Sequence, residues 1–112
     1  MTVPVLLERD DAVGFLTLNR PEAGNAIDLD LARALREAVE RVAADRGVRC
    51  VVLRGRGRMF CVGGDVKALH AAGDARPDML GEILAALHPA INCLARMDKP
   101  LVTAVNGPAA GA

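Results

Sequence analysis

Two glycine turns carry most of this sequence's capacity for chemistry. One runs Gly55-Arg-Gly-Arg-Met-Phe-Cys-Val-Gly-Gly64 and closes on Asp65; the other runs Asn106-Gly-Pro-Ala-Ala-Gly-Ala112. Each follows a short apolar run, residues 50–53 and 101–105. Runs of that kind read as strands of a parallel sheet buried on both faces. In α/β sheets ligands sit beyond the C-terminal ends of strands, where both turns fall. Glycine there removes side-chain bulk and lets amides turn toward a ligand. If each turn leads into a helix, two sets of unpartnered amides would face each other as a backbone oxyanion hole. A plain turn followed by an N-cap gives the same pattern, so the glycines alone leave both readings open. The spacing matches neither GxGxxG nor a Gly-Lys-Ser/Thr phosphate loop.

The side chains around the turns are ambiguous. Asp65 has the look of a catalytic acid, yet a carboxylate just ahead of a helix most simply caps it. Cys61 lacks a nearby His that would activate a thiol, and reads as small apolar filling. Lys67 reads first as a solvated helix lysine. The two histidines, His70 and His88, fall in helical stretches. They complete no zinc pattern with Cys50, Cys61 and Cys93, whose odd number and wide spacing also argue against a disulfide framework.

The elements that must hold the turns follow from patterning. Residues 3–8 and 13–19 read as strands joined at Asp10-Asp11. Asp28 caps a helix over residues 29–44, with Leu31, Leu35, Ala38, Val39 and Val42 on one side. Gly47 breaks it before the first buried strand. Residues 65–71 form a short helix, and Asp78 starts a longer one that Pro89 should bend or divide. The order is two strands, helix–strand, helix, helix–strand: one α/β domain with a partly parallel sheet that looks incomplete with so few buried strands.

Composition excludes several functions. Of 112 residues 52% are hydrophobic and only two are aromatic, Phe15 and Phe60. The core is therefore aliphatic, and stacking platforms for single-stranded nucleic acid are lacking. Zero net charge leaves no field to attract DNA or an anionic membrane. No apolar run nears the roughly 20 residues that cross a bilayer, and the N-terminus lacks a basic signal-peptide region. A cytoplasmic location is expected. Arg54-Gly-Arg-Gly-Arg58 is the one stretch that suggests RNA, weakly for these reasons.

Asn19-Arg-Pro-Glu22, Asn25-Ala-Ile27, Val51-Val-Leu-Arg-Gly55, Phe60-Cys-Val-Gly-Gly-Asp-Val66 and Lys99-Pro-Leu-Val-Thr-Ala-Val-Asn-Gly107 stand together in order and spacing. In this the chain resembles the N-terminal portion of the enoyl-CoA hydratase/isomerase (crotonase) family. The likeness covers nearly the whole chain and breaks off inside the family's second signature. It implies a crotonase-like ββα-type spiral, present in part as residues 1–112. It also implies an acyl-CoA thioester as substrate, with coenzyme A belonging to the substrate and no separate cofactor. By resemblance the oxyanion donors are the amides of Gly64 and Ala112. Asn25, Ala26 and Ile27, and Phe60, Cys61, Val62 and Gly63, match stretches along the coenzyme path. Lys67 falls where some members place a basic residue near the coenzyme's phosphates.

Gly24 stands where many members are basic, and Val62 where a smaller residue is usual. Hydratases of the family carry acidic side chains past the second donor, beyond Ala112. The resemblance therefore implies that these residues alone are inactive and that the complete protein forms trimers or hexamers. The competing expectation is a non-catalytic acyl-CoA-binding or assembly module.

Overall fold

The computed structural model describes residues 3–112. Strands β1 (Val5–Asp10) and β2 (Val13–Leu18) form an antiparallel hairpin in which Val5 pairs Leu18 and Asp10 pairs Val13. Asp11 takes a left-handed φ of 52° at its tip. Helix α1 (Leu29–Ala44) then crosses to β3 (Cys50–Gly55), which lies parallel to β2 with Leu16 opposite Leu53. Helices α2 (Val66–Ala71) and α3 (Arg76–Arg96) follow, and β4 (Leu101–Ala104) adds in parallel to β3. The sheet order is β1-β2-β3-β4.

Helix α1 forms as its sequence dictates. Asp28 Oδ1 accepts from the Leu31 amide at 2.8 Å, and Leu31, Ala32, Leu35, Ala38, Val39 and Val42 are buried along one face. They pack on Leu16, Leu18 and Val51 of the sheet and on Ile83, Ala86, Leu87, Ala90 and Leu94 of α3. Burying one such leucine or valine stabilises by about 1.5–3 kcal/mol, so this aliphatic seam replaces the missing aromatics. At the other end of α1, Lys99 Nζ donates to the carbonyls of Val42 at 2.7 Å and Asp45 at 2.6 Å. An ammonium suits a helix C-terminus, where carbonyls lack internal partners.

Several expectations need correction. The first strand begins two residues later than patterning suggests and runs on to Asp10. The long helix begins at Arg76 instead of Asp78, and Pro89 does not divide it. Neither apolar run is buried on both faces. Val51 is buried, but across the sheet Arg54 stacks 4.4 Å over the Phe15 ring and its Nε donates to Thr17 Oγ1. Strand β4 is exposed throughout because it is the sheet edge, while α1 leans on β1 and β2 at the far side. Residues 109–112 do not form a helix.

Candidate functional site

The two glycine turns meet. Beyond β3 and β4 they are stitched by a parallel bridge between Cys61 and Ala109. The Ala110 amide donates to the Cys61 carbonyl at 2.9 Å, and the Phe60 amide to the Pro108 carbonyl at 3.1 Å. Further along, Gly63 and Gly111 press together in positive-φ conformations, 96° and 72°. A Cβ on Gly111 would lie 3.0 Å from Gly63 Cα and 3.9 Å from the Gly64 nitrogen. Only glycine permits both that backbone and that approach.

On its other side the first turn bridges Ile27 with Gly64. Ile27 donates to the Gly63 carbonyl at 2.8 Å, and Asp65 donates to the Ile27 carbonyl at 3.0 Å. In a parallel bridge the middle residue, here Gly64, turns its own amide away from its partner. That amide and the Ala112 amide have no acceptor among the described residues.

Two cavities flank the junction. An inner one of about 200 Å³ is lined by Ile27, Phe60, Cys61, Leu87, Ile91 and Ala112, among other apolar residues. A wider outer groove of about 830 Å³ is bordered by Ala26, Val62, Gly64, Asp65 and Lys67, together with Arg20. The residues expected at the site therefore divide between two spaces, Ile27, Phe60, Cys61 and Ala112 lining the inner one and Ala26, Val62, Gly64 and Lys67 the outer. Asn25 lines neither. It is fully buried at φ 58°, its Oδ1 accepts from the Arg20 amide at 2.8 Å, and its Nδ2 donates to the carbonyls of Arg56, Met59 and Phe60. Its side chain organises the loop from beneath and borders neither cavity.

Asp65 is a cap. Its Oδ1 accepts from the Ala68 amide at 3.0 Å and its Oδ2 pairs with Arg20 at 3.1 Å. The Ala68 amide, ahead of the Arg20 guanidinium, holds this carboxyl below its ordinary value, against the opposing effect of burial. A carboxylate so held is a poor proton donor near neutrality. Cys61 is buried, with Sγ donating to the Asn25 carbonyl at 3.2 Å, and Lys67 is exposed on the first turn of α2. Of the RNA-suggestive arginines, Arg54 and Arg56 are engaged internally, Arg56 Nη1 donating to Asn19 Oδ1 at 3.2 Å.

Gly24 and Val62, the two departures from the family pattern, are neighbours. A Cβ on Gly24 would sit 2.9 Å from Val62 Cγ1, at a φ of 62°. The larger side chain at 62 occupies the space that any side chain at 24 would need. Sequence reasoning missed Arg20 and the buried role of Asn25. The signal available was their position in the Asn-Arg-Pro and Asn-Ala-Ile stretches.

The family described as enoyl-CoA hydratase/isomerase matches residues 13–112. The chain is 38% identical over 111 residues to a probable enoyl-CoA hydratase of Mycobacterium tuberculosis, covering 97% of this chain and 41% of that one. It is 37% identical over 110 residues to the 1,2-epoxyphenylacetyl-CoA isomerase of Escherichia coli, covering 96% and 42%. Among solved structures, an enoyl-CoA hydratase/carnithine racemase from Magnetospirillum magneticum superposes with a TM-score of 0.85 at 32% identity, covering 99% of this chain and 41% of that one. The chain thus spans about two fifths of the length of these relatives.

Proposed function

Because the chain belongs to the enoyl-CoA hydratase/isomerase family, we propose that it is the oxyanion-binding part of an acyl-CoA hydratase or isomerase. A coenzyme A thioester lies across the Gly63–Gly111 junction with its carbonyl oxygen on the amides of Gly64 and Ala112. In hydration, hydroxide character adds at C3 and the double-bond electrons move toward the thioester oxygen, leaving an enolate that a proton at C2 quenches. The two amides hold that oxygen while it carries charge, and losing one such donor typically costs roughly 3–4 kcal/mol in the transition state. The apolar inner cavity suits an acyl group, and the outer groove with Lys67 suits the polar coenzyme.

The observation that carries this reading is the contact between two positive-φ glycines beside Gly64, whose amide the bridge to Ile27 leaves without an acceptor among the described residues. Asp65, tied to Ala68 and Arg20, supplies no proton in this scheme. With the described residues alone, the site binds and polarises a thioester without turning it over.

The test is a titration of the isotopically labelled chain with crotonyl-CoA, observing backbone amides, with enoyl absorbance followed in parallel. Shifts centred on Gly64 and Ala112 are expected. Unmoved amides at saturating thioester would sink the proposal.

A further inference from the structure

A single guanidinium joins the two helix caps beside Gly64. Asp28 and Asp65 each use Oδ1 for their own helix, accepting from Leu31 and Ala68. Each turns Oδ2 to the same nitrogen, Arg20 Nη1, at 3.4 Å and 3.1 Å. That nitrogen also donates to the Ala26 carbonyl at 2.6 Å. Asp28 directly follows Ile27 and Asp65 directly follows Gly64, the two residues of the bridge. The three contacts of Arg20 thus enclose the short stretch of backbone that aims the Gly64 amide.

We propose that Arg20 is a positioning residue: it clamps the Ile27–Gly64 bridge and so fixes the direction of the Gly64 amide. This rests on the proposed role of Gly64 for its catalytic meaning, but not for the clamp itself. The electrostatics favour this over phosphate binding by Arg20. With two carboxylates on one guanidinium the cluster is net negative and would repel an anion. The ion pairs are largely shielded, with side chains 21% exposed at Arg20, 24% at Asp28 and 14% at Asp65. Charge-assisted bonds in such a setting are stronger than surface pairs.

The experiment is amide hydrogen exchange by NMR on the wild-type chain and on Arg20→Met and Arg20→Lys, repeated with crotonyl-CoA. Removing Arg20 should speed exchange of the Ile27 and Asp65 amides by about tenfold or more, the effect of losing one charge-assisted hydrogen bond. Sheet amides such as Leu16 should keep their protection. Lysine at 20 should recover part of the loss, and the thioester-induced shift of Gly64 should shrink in Arg20→Met.

Unchanged protection at Ile27 and Asp65 overturns the clamp. If Arg20→Met loosens the sheet as well, Asp65→Asn decides. It keeps an acceptor for Ala68 and drops the charge facing Arg20. Selective loosening of the bridge then supports the clamp, and none overturns it. A wild-type Gly64 that ignores the thioester refutes the functional reading, while the exchange result still judges Arg20.

Discussion

Replacing Asn25 with alanine should destabilise the chain by about 4 kcal/mol, and the sum can be taken apart. The Nδ2 group has two hydrogens and faces the carbonyls of Arg56, Met59 and Phe60 at 3.0, 3.0 and 3.1 Å, so it amounts to two bonds with one shared. Oδ1 adds a third by accepting from the Arg20 amide at 2.8 Å. At about 1 kcal/mol net each the three contribute about 3 kcal/mol, and more where a carbonyl stays buried without a partner. Alanine at φ 58° adds about 1 kcal/mol, because asparagine tolerates the left-handed region better than a residue without a polar side chain. Folded domains are typically stable by only about 5–15 kcal/mol, so the variant should be close to unfolding. With no Trp or Tyr in the sequence, the assay is equilibrium urea denaturation followed by far-UV circular dichroism. Asn25→Gly removes the same hydrogen bonds but suits the backbone, and should be about 1 kcal/mol more stable than Asn25→Ala. An alanine variant within about 1 kcal/mol of wild type would refute the account of Asn25 as the loop's organiser. A glycine variant less stable than the alanine one would refute the backbone part.

Gly111→Ala places a Cβ 3.0 Å from Gly63 Cα at a φ of 72°. It should part the turns, cost about 1–2 kcal/mol and abolish the crotonyl-CoA shift at Gly64; an undiminished shift would count against the junction. Lys99→Met leaves the Val42 and Asp45 carbonyls without their donor, and should cost about 1–2 kcal/mol in the same urea assay; a neutral effect would remove Lys99 as the cap of α1. The Asp65 carboxyl sits below its ordinary 3.8 when folded. Its stabilisation is therefore complete above that value and is lost as pH falls through the lowered one. The Ala68 amide resonance should titrate below pH 3.8 and stop titrating in Asp65→Asn, and a midpoint at or above 3.8 would contradict the cap.

Backbone chemistry was legible in the sequence, and side-chain support was not. Helix α1 announced both ends, through Asp28 as cap and a helical stripe of aliphatics up to Val42. The two glycine turns were legible because a positive φ and a close approach each demand glycine. Burial of the strands was misjudged at β3 and β4. A continuous apolar run looks the same whether it lies within a sheet or on its edge, and nothing local tells Leu101 that it ends the sheet. The family resemblance sets Asn25 along the coenzyme path by its stretch of sequence, which says nothing of where its side chain is held. Its burial depends on three carbonyls more than thirty residues away. Arg20 escaped notice for the same reason, since its partner Asp65 is 45 residues distant.

Gly64, the first of the two proposed donors, has no side chain to aim its amide, and the main chain on both sides of it fixes that direction instead. Gly64 is held on one flank by the bridge to Ile27 and on the other by the turn containing Gly111, which is itself bridged through Ala109 to Cys61. With both flanks fixed by main-chain hydrogen bonds, a bound oxygen would meet an amide already pointing outward, and no reorganisation would be needed as charge develops. Side chains act at one remove, Asn25 under the loop and Arg20 across the two caps. Substitutions at these two positions should therefore weaken polarisation of a bound carbonyl without removing any atom that touches it. A carbonyl-stretch measurement on bound thioester separates that effect from simple loss of affinity. With the site saturated in Arg20→Met, a stretch still shifted as in wild type would mean that the flanking bridges alone suffice to aim the amide.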